Sequence, residues 1–157
     1  MPVRTIRVDP HLKAAVAGAR WREWELLADE LCADLRPGEA LFHEVPEEEL
    51  VLSVDDERIM LRVPGEEPRQ VARREPLAPI VKEYLGVIEL LEDESIPMAR
   101  AEVLDMAKRV VHDKGASTLG DLLPGLTVDH ERRRRLFSLL VALSTDTTKK
   151  RLAHRHP

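Results

Sequence analysis

The sequence predicts a single α+β domain, in which a three- or four-stranded antiparallel sheet is covered on one face by four or five helices. Two patterns favour this fold. Apolar residues alternate with polar ones between Leu50 and Val63, and they recur at spacings of three and four in several longer stretches. A chain of 157 residues also suits one hydrophobic core. We expect the domain to span residues 1–145 and a basic, disordered tail to occupy residues 146–157.

The first third of the chain predicts a short strand followed by helical segments. Residues Val3–Val8 favour the strand, and Asp9 then caps a helical turn that begins at Pro10. The stretch Arg20–Leu35 predicts a longer helix, because its apolar residues share one face: Trp21, Trp24, Ala28, Leu31 and Leu35. At this spacing the two tryptophans indicate core packing rather than a ligand platform.

A β-hairpin is predicted between Leu50 and Val63, because two alternating runs flank a charged turn at residues 55–58. A third strand is expected at Arg69–Arg74, with Val71 as its apolar residue. The arginines of this third strand are typical of a charged sheet edge, which discourages pairing with other sheets.

Two of the helices in the second half have simple patterns. One follows Pro79 and ends near Leu91, with an apolar stripe along one face. The last helix is capped by Asp129 and is apolar nearly all round between Leu136 and Leu143. A helix of that kind is expected at the centre of the core.

The stretch Met98–Leu123 organises the second half. A helix is predicted to begin near Pro97 and to end at Gly115, where a left-handed C-cap belongs and where cations crowd the last turns. Ser117 or Thr118 would cap a short second helix. The buried face of the first helix is expected to consist of Val103, Met106, Ala107 and Val110, and Leu104 and Val111 are expected to flank that face.

Composition disfavours several classes of protein. The formal net charge of −5 disfavours a nucleic-acid partner, and an aromatic content of 3% disfavours base stacking. A single cysteine, Cys32, excludes an internal disulfide or a cysteine-rich zinc site. No apolar stretch approaches the length of a membrane span or a signal peptide, so we expect a cytosolic protein without membrane contact. No cofactor motif is complete, so none is expected.

The candidate catalytic residues are Asp105, Arg109 and His112, which share one flank of the predicted helix. A histidine near a carboxylate is suited to general base catalysis. Asp105 and His112 are, however, separated by about 10 Å of helical rise, so a substrate or another segment would have to lie between them. Stabilisation of the helix end by these charges is the alternative interpretation.

The candidate anion-binding residues are arginines and lysines near the C-terminus: Arg134, Arg135, Lys149, Lys150 and Arg151. The first two belong to the run Arg132–Arg135, whose side chains must spread around the final helix. Some of the four are therefore expected to face protein and to pair with Asp121, Asp129 or Glu131. The basic tail is the better candidate for an acidic partner, because it is expected to be exposed.

The second half of the chain also resembles a known family. The matching residues, in chain order, are Ile80–Lys82, Tyr84, Asp105, Met106, His112–Gly115, Thr118, Leu119, Asp121, Leu122 and Arg134–Phe137. In this order they resemble the bacterial uncharacterised protein family numbered 0262 in the UPF series, over roughly residues 79–143. The resemblance implies a short cytosolic bacterial protein without an established activity, and it supplies no catalytic residues.

The sequence leaves three functions open. The first is a non-catalytic interaction or regulatory module that binds a protein partner or a second copy of itself, since no catalytic motif is complete. The second is a small enzyme or ligand-binding protein with a site around His112. The third is nucleic-acid binding through Arg132–Arg135 and the basic tail, which the acidic net charge disfavours.

Overall fold

Four strands form one mixed sheet in the computed structural model, which describes residues 5–36, 39–42 and 49–147. The strands are β1 (Thr5–Val8), β2 (Glu49–Val54), β3 (Arg58–Arg62) and β4 (Pro68–Arg73), and they lie side by side in that order. β1 runs parallel to β2, whereas the other neighbours are antiparallel. The expected purely antiparallel sheet is therefore wrong. The long helical connection between β1 and β2 returns the chain to the same end of the sheet, so these two strands run in one direction.

Four α-helices accompany the sheet in the described part of the chain. They are α1 (Gly18–Cys32), α2 (Ala78–Leu91), α3 (Met98–Leu122) and α4 (His130–Thr147). A 3₁₀ helix, Pro10–Ala15, precedes them, and the Asp9 side chain caps it by accepting from the His11 backbone N–H at 3.0 Å. The α+β class predicted from the sequence is thus confirmed. Residues 148–157 of the expected basic tail lie outside the described residues.

The hairpin of β2 and β3 forms as predicted, with Leu52 opposite Leu61 and Val54 opposite Ile59 on the buried face. In β4 the apolar assignment was wrong. Ala72 pairs with Ile59 and is buried, whereas Val71 pairs with Met60 and is 53% exposed. Successive residues of a strand point to opposite faces, so the burial of Ala72 turns Val71 outward.

The end of α1 covers the free edge of β1. The Cys32 sulfur accepts a hydrogen bond from the Ile6 backbone N–H at 3.2 Å, which occupies a group that an open edge would leave unpaired. Burial raises the pKa of the Cys32 thiol, so the thiol stays protonated and unreactive.

The face of α1 with its two tryptophans is buried as expected, and the two rings meet edge to face at 6.1 Å.

α4 lies at the centre of the core, as its apolar pattern predicted. It packs against α1, α3 and β2. Its buried apolar residues are Leu136, Phe137, Leu139, Leu140, Val141 and Leu143. These residues belong to one cluster with the buried faces of the sheet and of α1. α2 and α3 form a helical hairpin whose second member, α3, packs against α4.

The prediction for α3 was wrong about where the helix ends and about which of its residues are buried. The helix continues without a break through Gly115 to Leu122, and the Thr118 hydroxyl donates to the Lys114 carbonyl instead of capping a new helix. Gly115 is buried against the Phe137 ring, and a Cβ placed there would lie 2.4 Å from ring carbons. Glycine is therefore needed for the close approach of α3 to α4, not for a turn.

The buried face of α3 consists of residues that were expected to flank it or to lie beyond its end: Leu104, Val111, Gly115, Ala116 and Leu119. Three of the four residues assigned to the core face outward instead. Val103, Met106 and Val110 are 64%, 67% and 65% exposed. The crossing at Gly115 determines the rotation of the helix, because that residue has to face Phe137.

Gly115→Ala tests this crossing. The new methyl group would overlap the Phe137 ring, so we expect the free energy of unfolding to fall by about 1–3 kcal/mol in chemical denaturation. Gly86→Ala is the matched control, because a Cβ at that exposed position in α2 meets no atom within 4 Å. It should stabilise the protein by about 0.5–1 kcal/mol through helix propensity. Equal effects of the two substitutions would contradict the proposed role of Gly115.

Candidate functional site

His112 lies in an aromatic and polar contact between α2, α3 and α4. Its ring stacks on Tyr84 with the centroids 5.4 Å apart, and the Phe137 ring is 5.5 Å away. Its two nitrogens face α4, where Nε2 lies 2.9 Å from Ser138 Oγ and Nδ1 lies 3.1 Å from Arg134 Nε. Sequence reasoning singled out His112 but did not find these partners, because they come from two other helices.

The partners of His112 determine its protonation. The guanidinium group of Arg134 is a donor only, so His112 Nδ1 must accept and carries no proton. The proton of the neutral ring is therefore on Nε2, which donates to Ser138 Oγ. In this form His112 cannot take a proton from Ser138, and the pair does not form an activated serine nucleophile.

The environment of His112 also disfavours its charged form. Burial of the ring, followed by the positive charge of Arg134, lowers the pKa of His112. A hydrogen bond with the backbone of Arg134 and the negative charge of Asp113 act in the opposite direction but do not outweigh them. The ring therefore stays neutral at neutral pH, as the hydrogen bond to Nδ1 requires.

The other two candidate catalytic residues are not brought to His112. Asp105 and Arg109 form an exposed ion pair with each other along α3, at 3.3 Å and with side chains 51% and 70% exposed. Such i,i+4 pairs are typical of a solvated helix surface and contribute only a few tenths of a kcal/mol. The predicted cluster of three residues thus divides into a surface ion pair and a histidine that packs against α4.

A polar network surrounds His112 at the surface. Arg134 Nε also lies 3.4 Å from Asp113 Oδ1, and the same carboxylate oxygen is 3.0 Å from His130 Nε2. The hydrogen bond from His130 is the main cause that lowers the pKa of Asp113. Arg134 and Arg135 both approach Glu131, as the sequence suggested for this run. The network connects the start of α4 to the middle of α3.

Two arginines of the run Arg132–Arg135 cap the end of α1. Arg132 is only 7% exposed and donates to the Leu31 and Ala33 carbonyl oxygens. Arg135 donates to the Glu30 carbonyl oxygen at 3.0 Å. Carbonyl groups at the end of a helix lack partners within the helix, and cations are favoured there. The run therefore has contacts within the protein that the sequence alone did not indicate.

The other two arginines of the run also have contacts within the protein. Arg134 is held by His112, Asp113 and Glu131. Arg133 was not among the predicted anion-binding residues, and it packs over Gly120, where an added Cβ would lie 3.3 Å from the guanidinium group. Lys149, Lys150 and Arg151 lie outside the described residues. Anion binding by this set stays a prediction, and Arg134 and Arg135 are already engaged in other contacts.

An apolar stripe on α3 was missed because its residues were assigned to the core. We use the name α3 stripe for Val103, Met106 and Val110, which recur at spacings of three and four and point away from α2 and α4. The other exposed large apolar residues of the described chain are Leu26 on α1, Val71 on β4, Leu90 on α2 and Met98 at the start of α3. Single exposed apolar residues are ordinary, but a contiguous patch indicates an interaction surface.

Asp9 forms a buried clamp at the other end of the molecule. It is 6% exposed, and its carboxylate accepts hydrogen bonds from His11 and from Arg62 Nη2. Burial alone would raise the pKa of Asp9, but these hydrogen bonds outweigh it and hold the pKa below its ordinary value. The clamp joins the end of β1 to β3, beside an open groove lined by His11, Arg62 and the β3–β4 turn.

These features define a small α+β domain with a mixed sheet, a central α4 and one apolar surface stripe. The chain belongs to the uncharacterised protein family UPF0262, whose family model matches residues 32–146. The match confirms the resemblance seen in the sequence and extends it toward the N-terminus, into α1.

Relatives of this family are found in several bacteria. UPF0262 proteins of Dinoroseobacter shibae and Paracoccus denitrificans are each 35% identical to this chain over 101 residues. The aligned regions cover 60% of this chain and 64% and 62% of those relatives. A UPF0262 protein of Maricaulis maris is 41% identical over 71 residues, which cover 43% of this chain and 44% of that protein. The matches thus span less than two thirds of each relative, and no solved structure matches the chain.

Among the described residues, no helix is both long enough and apolar enough to cross a membrane. Within the same residues, no three His, Cys, Asp or Glu side chains are grouped so that they could hold a metal ion.

The lowered pKa of His112 gives a pH dependence of stability. Below the ordinary value of 6.5 the unfolded chain binds a proton at His112 more readily than the folded protein does. The free energy of unfolding should therefore fall as the pH falls from about 6.5 through the lower, folded-state pKa. Chemical denaturation between pH 7.5 and about 5 measures this fall, before most carboxylates titrate.

His112→Gln is the control for this experiment, because it removes the titrating group and retains hydrogen-bonding capacity. The variant should have a flatter pH profile in the same window, with all other histidines unchanged. A profile as steep as that of the unmodified protein would contradict the assignment to His112.

The capping role of Arg132 can be tested by two substitutions. Arg132→Ala leaves carbonyl groups at the end of α1 without donors, so we expect a loss of about 2–4 kcal/mol of unfolding free energy. Arg132→Lys keeps the charge but lacks the planar fork, and should recover only part of this loss. Arg73→Ala, at an exposed position of β4, should change stability by no more than about 0.5 kcal/mol. Denaturant unfolding of the three variants distinguishes a helix cap from a free surface cation.

Proposed function

We propose that this protein is a cytosolic, non-catalytic interaction module that binds a protein partner through the α3 stripe. The observation that carries the proposal is the exposure of Val103, Met106 and Val110, each about two thirds exposed, on one face of a helix. Exposed apolar surface is unfavourable in water, and its burial against a partner contributes about 25 cal/mol per Å² before the costs of association.

The rigidity of α3 supports this role. Its opposite face is held by buried contacts of Leu104, Val111 and Leu119, and Gly115 lets it pack closely on α4. A partner would therefore meet a preformed surface and would not have to order the helix on binding. Preorganisation of this kind lowers the entropic cost of association.

The alternative of a catalytic site around His112 has less support. Both ring nitrogens are engaged within the protein, and the tautomer is the wrong one for activation of Ser138. The nucleic-acid alternative has lost its support from Arg132–Arg135, because those side chains have partners or packing contacts within the fold. It now depends on the basic tail alone.

A binding experiment tests the proposal. The immobilised chain is exposed to a lysate of its host bacterium, and the retained proteins are compared with those retained by a Met106→Glu variant. We expect a protein that is retained by the unmodified chain and lost with the variant, because a carboxylate in the centre of the stripe prevents apolar burial. The identified partner is then purified and its affinity measured directly.

Leu90→Glu supplies the matched control, since Leu90 is also an exposed apolar residue but belongs to a different helix, α2. Its binding should equal that of the unmodified chain. Partners that bind the Met106→Glu variant equally well would contradict the proposal that the α3 stripe is the interaction surface.

A further inference from the structure

We infer that the occupant of the α3 stripe is a second copy of this chain, which docks its own α3 in the antiparallel direction about a two-fold axis near Met106. This inference rests on the proposed function, since it names the partner of the same surface. The pattern of charges beside the stripe supports it.

The stripe follows the pattern of a helix–helix seam. Val103, Met106 and Val110 are separated by three and four residues, the spacing at which one helix presents its core positions to another. Ala99 extends this row by one turn toward the N-terminus, and Ala107 lies beside its centre. Small side chains at these places allow two helices to approach closely without a clash.

Two residues of opposite charge border the same side of the stripe. Glu102 and Arg109 are seven residues apart, which places them almost in line along the helix. The midpoint between them falls at Asp105 and Met106, the centre of the stripe. In an antiparallel pair with its two-fold axis there, Glu102 of each copy faces Arg109 of the other copy. The charges that border the stripe of one copy thus complement those of the second copy.

The charges of the single chain are compatible with this pairing. In the described part of the chain Glu102 forms no ion pair, and Arg109 has only the exposed pair with Asp105 on its own helix. Both side chains are thus available at the surface without breaking a buried contact. In a parallel arrangement Arg109 would instead meet Lys114 of the second copy, which is repulsive.

One pair of like charges opposes the antiparallel arrangement. On the other side of the stripe Arg100 would approach Lys114 of the second copy. Arg100 and Lys114 lie on average seven positions, about 10 Å, from the axis, whereas Glu102 and Arg109 lie about 5 Å from it. Crossing helices diverge away from the axis, so the attractive pairs are closer than the repulsive ones.

The size of the stripe predicts a weak dimer. One pair of helices buries less than the roughly 800 Å² per partner of a standard stable interface. We therefore expect a dimer with a dissociation constant in the micromolar range. Sedimentation equilibrium or light scattering over micromolar to millimolar protein concentrations would measure it.

Charge-swap variants test the arrangement. Glu102→Arg and Arg109→Glu should each weaken the dimer by about tenfold, because each replaces two attractive pairs by two repulsive ones. The double variant restores both attractions with reversed signs, so its dissociation constant should return to within about threefold of the original. Arg100→Glu should tighten the dimer, since it converts the opposing pair into an attractive one. Leu90→Glu is the control without effect.

Cysteine cross-linking distinguishes the two helix directions. In a Cys32→Ser background, Met106→Cys should form a disulfide-linked dimer on mild oxidation, because the two sulfurs meet at the axis. Val103→Cys should not, since antiparallel docking places the two copies of residue 103 on opposite sides of the axis. Efficient cross-linking of both variants would indicate parallel helices and would overturn the inference.

The outcomes also separate this inference from the proposed function. A chain that stays monomeric at millimolar concentration, but retains another protein through Met106, would overturn the self-association and leave the interaction surface intact. A monomer that retains no partner would overturn both. A dimer that is unaffected by Met106→Glu would show that another surface associates, and would likewise overturn the inference.

Discussion

The close crossing of α3 and α4 at Gly115 is the constraint on which the second half of the structure depends. The Phe137 ring occupies the space that a Cβ at residue 115 would require. The helices therefore approach at this point, and the rotation of α3 about its axis is determined. One consequence is that Leu104, Val111 and Leu119 face the core. Another is that His112 reaches Ser138 and Arg134, while the α3 stripe remains in solvent.

Several arginines of α4 contribute to its packing against the neighbouring helices. Arg132 and Arg135 supply donors to the last carbonyl groups of α1, and Arg134 connects α4 to His112 and Asp113. A run of four arginines on one helix thus faces several neighbours, because consecutive residues point in different directions around the helix. Its contacts are those of a structural element, and they leave the α3 stripe as the surface with the clearest capacity for binding.

The structure differs from the sequence prediction more at the candidate site than in the fold. Asp105, Arg109 and His112 are close in sequence, which suggested a common site, but their partners differ. Asp105 and Arg109 bind each other in solvent, whereas His112 binds residues of α4 that are more than twenty positions away in the sequence. The clamp of Asp9 and Arg62 was missed for the same reason, since 53 residues separate its members and no local pattern connects them.

Local patterns in the sequence determined most of the elements. The alternation in residues 50–63 determined the hairpin, Asp9 and Asp129 determined two helix starts, and the all-round apolar pattern placed α4 at the centre. Only the tertiary structure decided the parallel pairing of β1, the direction in which Val71 points, and the rotation and length of α3. Gly115 shows the physical reason. In the sequence, a glycine after a cluster of cations is typical of a helix end. In the structure it allows α3 to cross closely over a ring that belongs to a residue 22 positions further along the chain.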